Sequence, residues 1–346
     1  MGGGQRVVSI YARELERIGH DVQIVCSRPR RITLKKKIKS FIYGRGWPKP
    51  PRAICSHFES YGAKYLLVDH DSGIRECDVP DADVVVATFW DTAHFMRDLG
   101  DCKGRKYYLI QHDEGSIQYC GNADATYTFP AYHIYVSEWI ASRLRARHAG
   151  IHGTVINNSV DTEAFDLGRR QKPSTLRVGM MWISDPLKGC DIAIEAVRQA
   201  RSQGVDIELV AFGTIPPPKE ILSEMQHFTL MPDAESMAAI YSSCTLWLFT
   251  SRFEGFGLPI LEAMAARTPV VGTPTGAATE LLGQGGGILV GMEDVKGISG
   301  AIKLIDDMSP SNWERMSEMA SATAKKRSWS DAARELEAVF TRSTIR

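Results

Sequence analysis

Ser-Arg-Phe-Glu-Gly-Phe-Gly-Leu-Pro-Ile-Leu-Glu-Ala-Met-Ala, residues Ser251–Ala265, follows the unbroken apolar run Leu246–Phe249. A run of that length, bounded by turn residues, reads as a strand buried on both faces. Gly255 and Gly257 then break the chain, and Pro259 sits where a first helical turn tolerates proline. Strand, glycine turn and helix in that order are the local unit of a doubly wound α/β sheet. Gly255, Phe256, Gly257 and Leu258 can bring backbone N–H groups close to an anion, and the helix start behind them adds partial positive charge. Glu254 and Glu262 bracket the turn. Glu254 lies on the loop, whereas Glu262 lies about one turn into the helix, placed to accept hydrogen bonds from ribose-type hydroxyls.

The same alternation extends outward through the chain. Candidate strands at Val22–Cys26, Tyr65–Val68, Val84–Ala87, Tyr107–Ile110, His133–Val136 and Thr154–Ile156 are interleaved with helical patterns such as Arg6–Ile18 and Glu138–Arg147. After residue 170 the strands Leu176–Met180, Ile207–Phe212, Leu246–Phe249, Pro269–Gly272 and Ile288–Val290 alternate with helices at Cys190–Gln203, Ala234–Ser243, Pro259–Ala266 and Val295–Ile305. Short β-branched runs separated by helices predict an α/β chain of two doubly wound, Rossmann-like domains facing a cleft. The polar stretch Asp166–Thr175 places the boundary, giving an N-terminal domain over 1–165, a C-terminal domain over 166–329 and a last helix over 330–346 that crosses back. One departure stands at the start: Gly2, Gly3 and Gly4 lead directly into a helix, so the first strand of the N-terminal domain is expected to be missing.

Composition narrows the function. The 346 residues carry 41 Lys+Arg against 41 Asp+Glu, so the basic surplus of a dedicated nucleic-acid binder is absent. Seven scattered cysteines without a Cys-x-x-Cys pair point to a reduced, cytoplasmic chain. No apolar run is long enough to span a bilayer, and no secretory leader pattern opens the sequence. The neutrality is an average, however. Between Arg28 and Arg52 stand ten Lys/Arg and no Asp/Glu, with Leu34, Ile38, Phe41 and Ile42 at helical spacing. Three readings stay open for this segment: an amphipathic helix on an anionic membrane surface, a stripe packed on the N-terminal domain, or a loop gripping an anionic acceptor.

The Ser251–Ala265 stretch resembles the glutamate-x7-glutamate signature of the retaining nucleotide-sugar glycosyltransferases of family 4, which have the GT-B fold. Further segments are similar in order: Gly3–Gln5 with Gly19-His20-Asp21-Val22, Val155–Asp161 through Phe165, Lys188-Gly189, Pro274–Glu280 and Ser328-Trp329-Ser330. Two positions depart from the family pattern: Ser159 replaces a glycine, and Gly179-Met180-Met181-Trp182 lacks the arginine that helps the family bind the donor diphosphate.

The resemblance implies a retaining transfer of a sugar from a nucleotide-sugar donor to a glycan, lipid-linked or small-molecule acceptor, with no metal or other cofactor. It implies donor contacts from Gly3, Gly4, Lys188, Gly255, Phe256, Gly257, Leu258 and Glu262, with Glu262 on the ribose. Lys188, beside a helix start, would stabilise the charge that grows on the departing diphosphate. His112 and Glu254 would face the sugar, positioning it and stabilising charge. Trp90, Thr92 and Asp113, at the ends of the neighbouring strands, are the acceptor candidates. A GT-B epimerase or phosphorylase, and a non-catalytic nucleotide-sugar-binding protein, are the alternatives. Base, sugar, acceptor and oligomeric state are not encoded in these motifs.

Overall fold

The computed structural model describes residues 3–28, 58–59, 62–117 and 121–342. The basic stretch 29–52 lies outside the described residues. The chain forms two compact units, one made of Gly2–Leu109, Glu114–His133 and Ala333–Arg346, the other of Ile110–Asp113 and Ile134–Ala332.

The first described element is the helix Gly3–Arg17, which buries Val7, Ile10, Tyr11 and Leu15. Gly3 and Gly4 form its first turn. Strands β1 (Ile24–Cys26) and β2 (Tyr65–Leu67) pair in parallel. β3 (Val84–Ala87), β4 (Arg105–Ile110), β5 (Tyr132–Tyr135) and β6 (Gly153–Val155) lie in sequential order in a four-stranded sheet, with β3 parallel to β4. The final helix, Trp329–Thr341, places its second half beside β4. Phe340 packs on Tyr107 at 4.7 Å between ring centroids, Tyr107 donates to the Val339 carbonyl at 3.3 Å, and Arg105 donates to the Phe340 carbonyl.

The other unit is built on six strands: β7 (Leu176–Trp182), β8 (Ile207–Gly213), β9 (His227–Leu230), β10 (Leu246–Phe249), β11 (Val270–Gly272) and β12 (Gly287–Leu289). Their order is β12-β11-β10-β7-β8-β9 and every pair is parallel. Parallel sheets need both faces covered by helices, which is why β10 reads Leu-Trp-Leu-Phe with no polar alternation. The helices Cys190–Ser202 and Val295–Asp306 close one face through Ile192, Val197, Ile298 and Ile302. Trp247, Tyr241, Phe212 and Phe165 form an aromatic cluster, with Tyr241 and Trp247 only 4.3 Å apart. Each such buried side chain contributes roughly 1.5–3 kcal/mol by leaving water.

Three polar side chains of the stretch 166–175 are bonded into the unit, while Arg169, Gln171 and Ser174 are exposed. Asp166 accepts from Arg267 at 2.8 Å and from Lys325 at 2.6 Å. Burial works to raise the Asp166 carboxyl, but Arg267 and Lys325 outweigh it and hold the group well below the usual carboxylate range. Arg170 donates to Thr268 and to the Cys244 carbonyl, both at 2.6 Å, and lies over Trp313. Lys172 donates to the Asp306 and Met308 carbonyls.

Candidate functional site

The turn after β10 is fixed from below by backbone. Gly255 passes so close to the Gln111 carbonyl that a Cβ on it would lie 1.8 Å from that oxygen, so no side chain fits. Ser137, the N-cap of the helix Glu138–Arg147, donates to the Gly255 carbonyl at 2.6 Å while accepting from the Ile140 N–H. Phe256 points into the core at 4 % exposure and its carbonyl accepts from Ala277 N–H. Gly257 has φ +94° and precedes the helix Leu258–Ala265, in which Leu258 opens the first turn and Pro259 follows it.

A second loop meets this turn. Pro186–Lys188 forms one short turn, capped by Asp185, before the helix Cys190–Ser202. Gly189 separates the two at φ +62°, and a Cβ there would come 2.0 Å from the Thr250 carbonyl oxygen. The N–H groups of Arg252 and Phe253 both donate to the Leu187 carbonyl. These contacts bring Lys188 Nζ to 2.5 Å from Glu254 Oε2, a pair that is mostly shielded from water. Ser251 Oγ lies 3.4 Å from the same oxygen.

His112, just beyond β4, joins this group. Its ring lies 5.2 Å from that of Phe253. Burial pushes its imidazole below the ordinary value and Lys188 adds to the effect, while Glu254, Asp113 and Asp185 pull the other way. The net direction is downward, so His112 is neutral at neutral pH. A neutral imidazole can accept or donate a hydrogen bond without adding charge beside Lys188.

Glu262 is 5 % exposed and accepts from Tyr241 Oη at 2.9 Å, so part of its bonding capacity faces the aromatic cluster. Asp113 is fully buried. Arg147 grips it in a fork, with Nη1 to Oδ2 at 2.6 Å and Nη2 to Oδ1 at 2.7 Å, and Arg143 Nε adds a contact at 3.3 Å. Its carboxylate therefore serves two guanidiniums of the Glu138–Arg147 helix.

Gly3, Gly4, Trp90 and Thr92 belong to the other unit. Trp90 opens the helix Trp90–Arg97, and its N–H donates to Glu114 at 3.1 Å. Thr92 Oγ1 accepts from the N–H groups of Thr88 and Phe89 at 3.0 Å and donates to the Phe89 carbonyl, so this hydroxyl caps its own helix.

Arg252 was not singled out from the sequence, although it sits inside the decisive stretch. It forks onto Asp191 at 2.7 and 2.8 Å, pairs with Glu293 and donates to the Pro186 carbonyl at 2.6 Å. It thus ties the Lys188 loop to the Glu254 turn, with its charge met by two carboxylates. Where the family arginine was expected, Met180 is a core residue of β7 at 2 % exposure. A separate cavity of about 180 Å³ lies behind Phe256, lined among others by Asn157, Asn158, Ser159 and Arg327. Among the described residues no cluster of metal-binding side chains occurs, and no helix is long and apolar enough to cross a membrane.

Residues 172–307 match the family model described as Glycosyl transferases group 1. The chain is 29 % identical over 204 residues to the MMP alpha-(1->4)-mannosyltransferase of Mycolicibacterium hassiacum, covering 56 % of this chain and 49 % of that protein. It is 28 % identical over 200 residues to a probable sucrose-phosphate synthase of Thermosipho melanesiensis, covering 52 % and 45 %. The chain thus matches about half the length of these curated relatives. Among solved structures, Anabaena HepE in complex with UDP-glucose superposes with a TM-score of 0.71 at 15 % identity, over 99 % of this chain and 96 % of that one. The sucrose-phosphate synthase of Thermosynechococcus elongatus gives 0.69 at 16 %, over 95 % and 90 %. The fold is the GT-B type, and residues 172–307, which hold Lys188, Glu254 and Glu262, carry the glycosyl transferases group 1 pattern.

Proposed function

We propose that this protein is a retaining glycosyltransferase of family 4 that moves a hexosyl group from a nucleotide sugar to a glycan, lipid-linked or small-molecule acceptor. The observation that carries the reading is the Lys188–Glu254 pair at a glycine turn, with Glu262 one turn into the following helix. A bound diphosphate competes with Glu254 for Lys188, because it brings two negative charges where the carboxylate brings one. Glu254 is thereby released toward the sugar. The Gly255–Leu258 amides and the start of the Leu258–Ala265 helix supply further positive charge, so the reaction proceeds without a metal ion. Glu262, one turn into that helix, holds the ribose through its carboxylate oxygens.

In the transfer step the acceptor oxygen bonds to the anomeric carbon as the bond from that carbon to the diphosphate breaks. The departing diphosphate takes the acceptor proton on the same face, which retains the configuration. Lys188 stabilises the leaving charge, while neutral His112 orients the sugar. UDP-glucose and GDP-mannose are the first donors to try, the former because HepE was solved with it and the latter because several relatives are named mannosyltransferases.

The test is calorimetric titration with these donors, then transfer to an acceptor panel with and without EDTA. Donor binding and turnover that survive EDTA and fall in Lys188→Ala and Glu262→Ala support the reading. Unchanged turnover in both variants overturns it. The basic segment Arg28–Arg52 belongs to the same proposal as a contact with anionic membrane, checked by co-sedimentation with phosphatidylglycerol vesicles.

A further inference from the structure

Arg143 is held in an unusual way. Asp113, at 0 % exposure, is already satisfied by the bidentate fork of Arg147, and Arg143 adds a second positive charge through one Nε contact at 3.3 Å. Its guanidinium lies 4.7 Å from the Trp139 ring centroid and 4.9 Å from that of Phe253. The two rings meet edge to face at 4.9 Å. Among the described residues the Nη1 and Nη2 groups of Arg143 make no hydrogen bond or ion pair, and its side chain is 39 % exposed. A guanidinium used only as a brace would turn its fork onto the carboxylate, as Arg147 does. Here the Nη groups are left out of the contact with the acid, and the guanidinium is flanked by two rings and a buried carboxylate.

The site next to it is the candidate catalytic group. Phe253 precedes Glu254 and contacts the His112 ring. The diphosphate is already matched by Lys188 and the glycine turn, so a second preorganised cation calls for a second anion. Half-buried Trp139 and Phe253 beside it offer aromatic surface to the apolar face of a sugar ring.

We infer that Arg143, Trp139 and Phe253 form a subsite for an acceptor sugar bearing an oxyanion, a carboxylate or a phosphate. This rests on the glycosyltransferase reading. The guanidinium fork takes the oxyanion bidentately, and the entropy cost of ordering the side chain is small because two rings and Asp113 already hold it.

The experiment is an NMR titration of the full chain, without nucleotide, using glucuronate, glucose 6-phosphate, glucose and inorganic phosphate. One or both charged sugars should bind about tenfold more tightly than glucose, and the two arms separate a carboxylate from a phosphate site. Arg143→Gln should abolish that preference, and Arg143→Lys, which keeps the charge but not the fork, should retain only part of it. Equal binding of charged and neutral sugars by the wild-type chain overturns the inference, whatever the variants do. So does a preference that survives in Arg143→Gln, or inorganic phosphate binding as tightly as glucose 6-phosphate. A chain that turns over a nucleotide sugar without favouring charged acceptors defeats the subsite alone. One that favours charged sugars but binds no nucleotide defeats the glycosyltransferase reading instead.

Discussion

Two strand-to-helix turns of this molecule use the same local plan for different ends. After β3, Thr88–Thr92 spends its own hydroxyl on its backbone: Thr92 accepts from two backbone N–H groups and caps its own helix, while Glu114 takes the Trp90 N–H. After β10, Ser251–Leu258 hands that task to glycines and to Ser137, 118 residues away, leaving Glu254 to meet Lys188. A turn whose hydroxyl is spent on its own backbone has none left for a ligand. Side-chain changes in the first should therefore cost stability, and removing the charged side chains that meet at the second should cost rate.

Lys188→Ala is the strongest test of that contrast, expected to lower donor turnover by roughly 10²–10³-fold with little change in melting, since one preorganised charge is removed. Steady-state kinetics beside a thermal melt checks both halves. Gly255→Ala comes next: a Cβ 1.8 Å from the Gln111 carbonyl oxygen forces the backbone apart, at about 3 kcal/mol in chemical denaturation. Asp113→Asn leaves two guanidiniums facing a neutral amide. It should cost about 2 kcal/mol, less than for a fully buried pair because both arginines are partly exposed. Thr92→Val should cost about 1 kcal/mol of stability and leave nucleotide affinity unchanged. If it cut transfer at unchanged stability, the contrast between the two turns would be lost.

The smallest effect concerns pH. The folded His112 value lies below the ordinary 6.5, so between the two values the unfolded chain binds more protons than the folded one. The stability contributed is therefore complete above pH 6.5 and is lost as pH falls through the folded value. An NMR titration of the imidazole should show this midpoint below 6.5. Glu254→Gln should move it lower still, because Glu254 opposes the shift.

Most of the sheet was legible because parallel strands buried on both faces are continuous apolar runs. β9 was not, since His227-Phe228-Thr229-Leu230 is an edge strand whose ends are exposed. The helix Pro310–Ala324 also escaped notice. Apart from Trp313, its buried face is Ser317, Ala320, Ser321, Thr323 and Ala324, small residues that give a weak periodic signal. At the candidate site, the carboxylates and glycines stood out by spacing, and Lys188 by the family resemblance. Arg252 and Arg143 did not, because nothing local distinguishes an arginine that braces a loop from one that is solvated.

The strand, the glycine turn and the helix, together with the spacing of Glu254 and Glu262, are written in the local sequence, because backbone preferences act over a few residues. The pairing of Lys188 with Glu254 across 66 residues, the hold of Arg147 and Arg143 on Asp113, and the bond from Tyr241 to Glu262 arise only when the chain is folded. Those pairings depend on sheet order and on close backbone approach at Gly189 and Gly255, which no local pattern encodes.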